Sequence, residues 1–423
     1  MTQNSLEDRT RGRRIAIGHV RRHHLYHAAE AYIEADRFGA WLTHLYIARP
    51  GLVRAMANIL PASMALKATR LAGYNHPRLT PYTEVLATSA KAHLMMALLG
   101  SDVKRTGEAF GPWVARRCIE EGWGLHMGGG AALDAFELMR KHDSESPLIL
   151  EQLTGDRGEG RRILLEEGEA LGLADAEAEI DANGMSQRMV DRNAAEYEPA
   201  DTIIAIAPFV RDSMIKAGVP ADKIIVAELG VDLGTFPIGK TSRAPGEPLK
   251  IAFVGSNMMR KGLIYLLRAA SRFDAAEVEV HIFGGKAPDA PFLQEHASRF
   301  IYHGGLSQKD LARALTECHV GALPSLWEGF GMAVYEMMAC GLPVIISEHV
   351  PAPISEGVEG FTTRIRDEEA IAEAIGALLD EPTRARMGAA ASDRARNSGW
   401  EHYRRAIRSG LGIATDEDRA AGS

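Results

Sequence analysis

The strongest constraint on this chain is a repeated alternation of short apolar runs with longer amphipathic segments. The runs occupy residues 14–18, 41–46, 123–127, 148–150, 202–206, 250–254, 279–283, 320–323 and 343–347. This alternation is typical of parallel sheets covered by helices. Residues 241–248 interrupt it with two prolines and a glycine, which is linker composition. A chain of 423 residues also exceeds one ordinary core. We therefore predict an α/β fold with two Rossmann-like domains, residues 1–243 and 249–398, facing a cleft.

The overall composition limits the class of protein and the cellular location that we expect. Apolar residues make up 46% of the chain and charged residues 25%, as in globular proteins. The first fourteen residues are polar and Arg-rich, and no apolar run is long enough to span a membrane. Three cysteines, Cys118, Cys318 and Cys340, show no metal or redox spacing. The net charge of −8 argues against nucleic-acid binding. We expect a cytoplasmic protein without a nucleic-acid partner.

The most informative segment is residues 323–343, which predicts a strand, a glycine loop, a helix and a second strand. Glu336 is the only charge on the predicted apolar helix, and an ionised carboxylate there is costly without a polar partner. The vicinal diol of a sugar is such a partner. Glu328 stands eight positions earlier, and Gly329 and Gly331 expose backbone N–H groups where an anion can bind. Alternatively, Glu336 pairs with a buried arginine and the glycines only form a turn.

This segment resembles the Glu-x7-Glu motif of the retaining glycosyltransferases of family 4, which have the GT-B fold. The matching residues are Glu328-Gly329-Phe330-Gly331, Glu336 and residues 338–343. The resemblance implies that Glu328 approaches the transferred sugar and that Glu336 holds the nucleotide ribose. It also implies that the backbone of Gly329, Phe330 and Gly331 contacts the donor sugar or diphosphate.

A second loop, residues 255–263, precedes another predicted helix. A lysine just before a helix N-terminus can stabilise a diphosphate leaving group. The family commonly shows Gly-Arg and then Lys-Gly; Lys261-Gly262 matches, whereas Ser256 stands where the arginine often is. Either Arg260 supplies the second cation or the leaving group is stabilised less, and a solvated helix start is the alternative reading. Neither predicted sheet carries Asp-x-Asp, so we expect metal-independent chemistry.

The first half resembles the family's acceptor domain more weakly, mainly over residues 196–201, 217–220 and 230–232. The histidine that many members place after a strand of this domain is missing. Asp156 or Glu151 could take an acceptor proton, although each could equally be an ordinary carboxylate. Four histidines within residues 19–27 suggest acceptor or donor contact or a solvated loop, and His126 suits either core or cleft.

Four further segments carry expectations of their own. Residues 37–83 contain six basic and no acidic residues, which suits peripheral contact with an anionic membrane or a helix packed on its own domain. The charges of residues 160–196 predict long exposed helices. Residues 399–410, with Trp400 and Tyr403, resemble the family helix that crosses back to the first domain. Residues 411–423 are predicted to be disordered.

The function implied is transfer of a hexose-type sugar, with retention of configuration, from a nucleotide-diphosphate sugar donor to an acceptor hydroxyl. Lys261, Glu328 and Asp156 are the candidate catalytic residues. The candidate donor-binding residues are Glu336, Arg260, Ser256, Gly329, Phe330 and Gly331. The co-substrate is expected to be UDP- or GDP-linked, with no other cofactor. The alternatives are a catalytically silent nucleotide-sugar-binding protein and another GT-B enzyme such as a sugar-nucleotide epimerase.

Overall fold

The computed structural model describes most of the chain. The described residues are 12–19, 24–43, 46, 51, 76–86, 103–143, 145–173, 176–182, 184–231, 234, 236–240, 242–256, 258–284, 291–352 and 354–421. Most of the basic segment 37–83 lies outside these ranges, so the predicted membrane contact falls on residues that are not described. No helix within the described ranges combines the length and the apolar character needed to cross a membrane.

The first sheet has seven strands, all parallel, in the order β3-β2-β1-β4-β5-β6-β7. Its strands are β1 (Ile15–Gly18), β2 (Phe38–Thr43), β3 (Thr83–Val85), β4 (Gly124–Gly128), β5 (Leu148–Gln152), β6 (Thr202–Ala205) and β7 (Ile224–Val226). Strands β1, β4, β5 and β6 are buried along their whole length, which explains why their sequences are mostly apolar, although β4 contains His126 and β5 ends in Glu151 and Gln152.

Helices follow these strands in βα order. They are α1 (Leu25–Glu34), α2 (Val103–Glu121), α3 (Leu133–His142), α4 (Arg157–Ala170), α5 (Ala176–Ala182), α6 (Gln187–Ala195) and α7 (Pro208–Lys216). Two short 3₁₀ helices, Pro77–Tyr82 and Ala221–Lys223, lead into β3 and β7.

The second sheet has six parallel strands in the order β10-β9-β8-β11-β12-β13. Its strands are β8 (Leu249–Val254), β9 (Val278–Phe283), β10 (Phe300–Gly304), β11 (Val320–Leu323), β12 (Val344–Ser347) and β13 (Gly360–Thr363). The helices are α8 (Leu263–Ala270), α9 (Gln308–Leu315), α10 (Met332–Ala339), α11 (Glu368–Leu378), α12 (Glu381–Arg396), α13 (Trp400–Gly410) and α14 (Asp416–Ala421), with a 3₁₀ helix at Pro291–Arg299. Two doubly wound sheets confirm the predicted α/β class.

Both sheets reverse their strand order once. The reversal lies between β1 and β4 in the first sheet and between β8 and β11 in the second. Ligands of open α/β sheets bind in the crevice beyond the carboxyl ends of the strands at such a point. In the second sheet the loops at this crevice are residues 255–262 and 324–331, the two segments that the sequence singled out.

The helix α13 returns to the first domain. It packs on α1, where Trp400 stacks on His27 with ring centroids 3.8 Å apart. Arg404 forms ion pairs with Glu30 and Glu34 at 3.2 Å. The segment after it differs from the predicted disordered tail. Residues 416–421 form α14, because Asp418 accepts hydrogen bonds from Arg408 at 2.6 and 2.7 Å.

Helices α4 and α5 also differ from the sequence prediction of long exposed helices. Ile163 and Leu164 of α4, with Ile180 of α5, are buried in the same apolar cluster as the core of the second domain. The charges at helical spacing are in part buried too, since Glu167 has no exposed side-chain area. Helix α4 is long, at 14 residues, and α5 has 7, but the inner faces of both are buried and form part of the interface between the domains.

The two domains also meet at Trp327, which precedes Glu328 in the second domain. Its side chain is 1% exposed and packs against Phe209 of α7, with ring centroids 5.1 Å apart. A Cβ atom added at Gly155 or at Gly160 would lie 2.5 Å from the indole. Real Cβ contacts are never this short, so only glycine at these two positions allows the indole to reach this depth. Trp327 thereby anchors the loop that carries Glu328.

We expect Gly160→Ala to destabilise the protein, because the added methyl group overpacks the Trp327 indole. Overpacking a dense interface costs about 1–3 kcal/mol, which exceeds the gain of up to about 1 kcal/mol from removing a helical glycine. The matched control is Gly376→Ala in α11, where the nearest atom to the added Cβ is 3.9 Å away. Calorimetry should show a lower melting temperature for Gly160→Ala only. An equal or raised melting temperature would contradict the packing of Trp327 described above.

Candidate functional site

The loop after β11 begins the helix α10 at a glycine. Gly331 has a φ of +74° and forms the N-cap of α10. Such a left-handed conformation favours glycine, since it has no Cβ. The turn leaves Glu328 three residues before the N-cap, with only 9% of its surface exposed. The loop after β11 therefore presents a nearly buried carboxylate at the crevice.

The loop after β8 begins the helix α8 in the same way. Gly262 is the N-cap with a φ of +69°, and a Cβ atom there would lie 2.0 Å from the carbonyl oxygen of Pro324. The backbone amide of Leu326 also donates a hydrogen bond to the carbonyl oxygen of Arg260 at 2.8 Å. The two loops therefore touch along their backbones, which brings the starts of α8 and α10 side by side.

Three charged side chains meet where the loops touch. Lys261 Nζ lies 2.9 Å from Glu328 Oε2, and Arg260 Nη1 lies 3.1 Å from Glu328 Oε1. Arg260 Nη1 also donates to the carbonyl oxygen of Trp327 at 2.7 Å. Burial would raise the pKa of Glu328, but the attraction of Lys261 and Arg260 lowers it to about 2. Glu328 is thus ionised and paired with both cations.

Opposing influences act on the pKa of Lys261. Burial lowers its pKa from the ordinary value, and the neighbouring Arg260 lowers it further, whereas Glu328 acts in the opposite direction. Because the Arg260 guanidinium lies close to the Lys261 ammonium group, an additional anion would stabilise the charged form of Lys261. The described contacts pair Glu328 with both cations, and these cations stand just before the start of α8, where free N–H groups favour an anion.

Glu336 lies one turn into α10 and is only partly exposed. Among the residues that the structure describes, none forms a hydrogen bond or an ion pair with its carboxylate. Burial raises the pKa of Glu336 to about 7, and the charge of Lys261 only partly offsets this effect. The alternative in which Glu336 pairs with a buried arginine is therefore not what the described residues show. The carboxylate is available to accept hydrogen bonds from a ligand.

The remaining predicted donor-binding residues surround this cluster. Ser256 is exposed at the start of the loop after β8. The amide of Gly329 donates to Glu328 Oε1 at 3.1 Å, and a Cβ there would lie 1.9 Å from the carbonyl oxygen of Leu153 in the first domain. The ring of Phe330 is buried and stacks on Tyr335 with centroids 4.5 Å apart. The Gly329–Gly331 backbone is therefore buried where the two domains touch.

Asp156 is placed differently from the other predicted residues. It is the N-cap of α4, where its Oδ1 accepts a hydrogen bond from the amide of Glu159 at 2.8 Å. Its own amide donates to Ser213 Oγ at 2.6 Å. No contact that the structure describes joins its carboxylate to Glu328 or Lys261. The structure thus brings Lys261, Arg260, Glu328 and Glu336 together and gives Asp156 a capping role in the neighbouring loop.

Glu151, the other candidate of the first domain, is completely buried in β5. Its carboxylate contacts His24, accepts a hydrogen bond from Tyr403 of α13 at 2.7 Å and lies 3.3 Å from His126 Nε2. Tyr32 in turn lies 3.0 Å from His126 Nδ1. Burial would raise the pKa of Glu151, but the two histidines hold it below its usual range. His126 is accordingly a core residue. The contacts of Glu151 with His24, His126 and Tyr403 attach α13 to the first sheet.

The histidines near the first strand have separate partners. His24 joins the Glu151 cluster, and His27 lies between Trp400 and Glu30, 3.1 Å from the Glu30 carboxylate. Residues 20–23, with His23, lie outside the described ranges. Within those ranges, no three His, Cys, Asp or Glu side chains are grouped as metal ligands. The sequence had marked His24, His126, Glu151 and Tyr403 singly, and their meeting in one cluster is visible only in three dimensions.

Comparison with known proteins gives a family match in the second domain. Residues 248–381 match the family model of the glycosyl transferases group 1. The chain is 29% identical over 259 residues to alpha-maltose-1-phosphate synthase of Mycolicibacterium smegmatis, covering 50% of this chain and 62% of that protein. It is 30% identical over 218 residues to a D-inositol 3-phosphate glycosyltransferase of Mycolicibacterium gilvum, covering 47% and 48%. The chain thus spans about half to three fifths of the length of these relatives.

Solved structures of the same fold match nearly the whole chain. A sucrose-phosphate synthase from Thermosynechococcus elongatus superposes with a TM-score of 0.62 at 18% identity, covering 97% of this chain and all of that one. Anabaena HepE in complex with UDP and glucose gives 0.57 at 14% identity, covering 95% and 100%. Both similarities are structural. The chain therefore has the GT-B fold, and residues 248–381 of its second domain are similar to the glycosyl transferases group 1.

Proposed function

We propose that this chain is a metal-independent, retaining glycosyltransferase that moves a hexose-type sugar from a UDP- or GDP-linked donor to an acceptor hydroxyl. The observation that carries the proposal is the meeting of Lys261, Arg260 and Glu328 at the starts of two helices beside the strand-order reversal. Cations and free amides at a helix N-terminus are suited to bind a diphosphate. The group 1 match of residues 248–381 supports the same assignment.

The two cations are placed to stabilise the leaving group. When the bond between the sugar C1 and the diphosphate oxygen breaks, that oxygen gains negative charge. The side chains of Lys261 and Arg260 are only 13% and 21% exposed, and fixed charges act more strongly in such surroundings than in solvent. We assign to this pair, together with the N-terminus of α8, the charge stabilisation that a metal ion supplies in other transferases.

The role of Glu328 differs between the protein without donor and the protein with donor bound. Without donor it holds both cations in place. A bound diphosphate would compete for the same cations and release the carboxylate toward the hydroxyl groups of the transferred sugar. The acceptor oxygen would then attack C1 from the face that the diphosphate leaves, which retains the configuration. The acceptor proton would pass to the leaving phosphate oxygen, so the reaction would need no separate protein base.

This route is compatible with the positions of the first-domain carboxylates. Asp156 caps α4 and Glu151 is buried against two histidines. A direct catalytic role of Asp156 stays a prediction, as do donor contacts of Ser256 and of the backbone at Gly329, Phe330 and Gly331. We also retain as proposals the cytoplasmic location and the contact of residues 37–83 with a lipid surface, which would suit a lipid-linked acceptor.

Donor binding should depend on pH through Glu336. Its pKa is about 7 in the free protein, so the carboxyl is mostly protonated below pH 7 and mostly ionised above it. Ribose hydroxyl groups donate best to the ionised form, so affinity should rise about tenfold between pH 6 and pH 8. Titration calorimetry with an intact nucleotide sugar should show this rise. A nucleoside diphosphate is a poorer probe here, because its terminal phosphate titrates near pH 6.

Glu336→Gln is expected to abolish the pH dependence and to bind the donor weakly at every pH. Glu373→Gln, on the exposed face of α11, is the matched control and should behave as the unaltered protein. If the affinity of the unaltered protein does not change between pH 6 and pH 8, Glu336 does not hold the ribose.

Glu328→Gln should separate binding from transfer. The substitution leaves both cations without their carboxylate, so a nucleoside diphosphate should bind at least as tightly as before. Transfer should fall about 100-fold or more, because the stabilisation of the reacting sugar is lost. Calorimetry and release of the nucleoside diphosphate with a panel of lipid, glycan and small-molecule acceptors measure the two effects. Donor binding with no turnover on any acceptor in the unaltered protein would favour the catalytically silent alternative.

A further inference from the structure

A buried carboxylate joins the two domains away from the site. Glu167 of α4 has no exposed side-chain area. Its Oε1 accepts a hydrogen bond from the Tyr265 hydroxyl of α8 at 2.7 Å, and its Oε2 accepts one from Arg366 Nε at 2.7 Å. Arg366 also donates to the carbonyl oxygen of Ile163 at 3.0 Å. A carboxylate of the first domain is thus bonded by two side chains of the second.

The partners of this carboxylate depend on how the domains meet. Burying an ionised carboxylate is costly unless hydrogen bonds and an opposite charge accompany it. Within the described ranges, both side-chain donors to Glu167 come from the second domain. Any sliding of α4 along α8 would leave the charge buried without them. Separating the partners of a buried ion pair is strongly destabilising, because it leaves a buried charge without compensation.

The backbone conformation of Arg366 also indicates that its pairing with Glu167 is required by the way the domains meet. Its φ is +66°, a left-handed conformation that disfavours residues with a Cβ. Such strain persists where the surroundings require it. Here the conformation directs the guanidinium toward α4, where it reaches both Glu167 and the Ile163 carbonyl oxygen. A glycine would fit this backbone better but could make neither contact.

The contact is connected to the candidate site through two helices. Tyr265 stands one turn after Lys261, on the helix that begins at Gly262. Helix α4 begins directly after the loop of residues 153–156, whose Leu153 carbonyl oxygen meets Gly329 and whose Gly155 meets Trp327. The contact of Glu167 with Tyr265 therefore joins α8, which follows the two cations, to α4, which follows the first-domain loop packed against Gly329 and Trp327.

We propose that Glu167, Tyr265 and Arg366 form an interdomain latch that positions the loop of residues 153–156 against the sugar end of the donor site. The latch residues are positioning residues, since none contacts the charged cluster of Lys261, Arg260 and Glu328. The effect on transfer rests on the proposed function, whereas the effect on domain docking does not. When the latch is broken, α4 separates from α8 more often and the loop loses its fixed position.

Hydrogen–deuterium exchange of the full chain without ligand tests the latch directly. Tyr265→Phe removes one donor and keeps the ring, and Arg366→Gly removes the other while relieving the backbone. Both should speed exchange in residues 157–170 about tenfold, with β8 and β11 unchanged. Tyr302→Phe is the matched control, because its hydroxyl donates to the Gly284 carbonyl oxygen at 3.0 Å inside the second domain. It should leave exchange in residues 157–170 unaltered.

Kinetics then test what the latch does. Tyr265→Phe should lower kcat for nucleoside diphosphate release about tenfold and change the Kd of the nucleoside diphosphate less than twofold, because the cations are untouched. Unchanged exchange in residues 157–170 of both variants, or equal acceleration in Tyr302→Phe, would overturn the latch. Accelerated exchange with no transfer by the unaltered protein would leave the latch standing and would reject the glycosyltransferase proposal instead.

Discussion

The close approach of two loop backbones underlies the candidate site. Gly262 and Pro324 meet so tightly that no side chain fits between them, and this contact sets the starts of α8 and α10 next to each other. Because Lys261 and Arg260 precede one helix and Glu328 precedes the other, the charges pair as a direct result. The strand-order reversal between β8 and β11 makes such a meeting possible, since it sends the two following helices to opposite sides of one crevice.

Domain packing depends on a second set of close contacts. Trp327 fills a space that Gly155 and Gly160 leave open, and Gly329 lies against the Leu153 carbonyl oxygen. The apolar faces of α4 and α5 extend the second-domain core across the boundary. At the other end of the chain, α13 is fastened to α1 by ion pairs and to β5 by the bond from Tyr403 to Glu151. Contacts around Trp327 and α4 thus join the domains on one side of the cleft, and α13 joins them on the other. The Glu167 latch lies within the larger interface.

Several features were predictable because they depend on local pattern. The apolar runs of β1 and β11 are continuous, and that of β8 is interrupted only by the partly exposed Lys250, as is typical of buried parallel strands. Gly262 and Gly331 stand at the starts of two helices that the sequence predicted, and both are N-caps with a positive φ. Strands β3, β7, β10 and β13 were not predicted, because they are short or partly exposed and carry polar residues such as Glu84 and His303. Their place in the sheets follows from pairing with longer neighbours.

The sequence by itself determined the fold class and the two loops that carry the candidate charges, because periodicity and glycine placement act over a few residues. Only the tertiary structure decided the partner of each charge. The sequence offered Glu151 as an acceptor-side base and placed Glu167 on an exposed helix, yet one is buried among histidines and the other between domains. Asp156 became a helix cap, and Arg366 acquired a left-handed backbone. Burial and pairing depend on residues far away in the chain, and those meet only when the sheets and domains have closed.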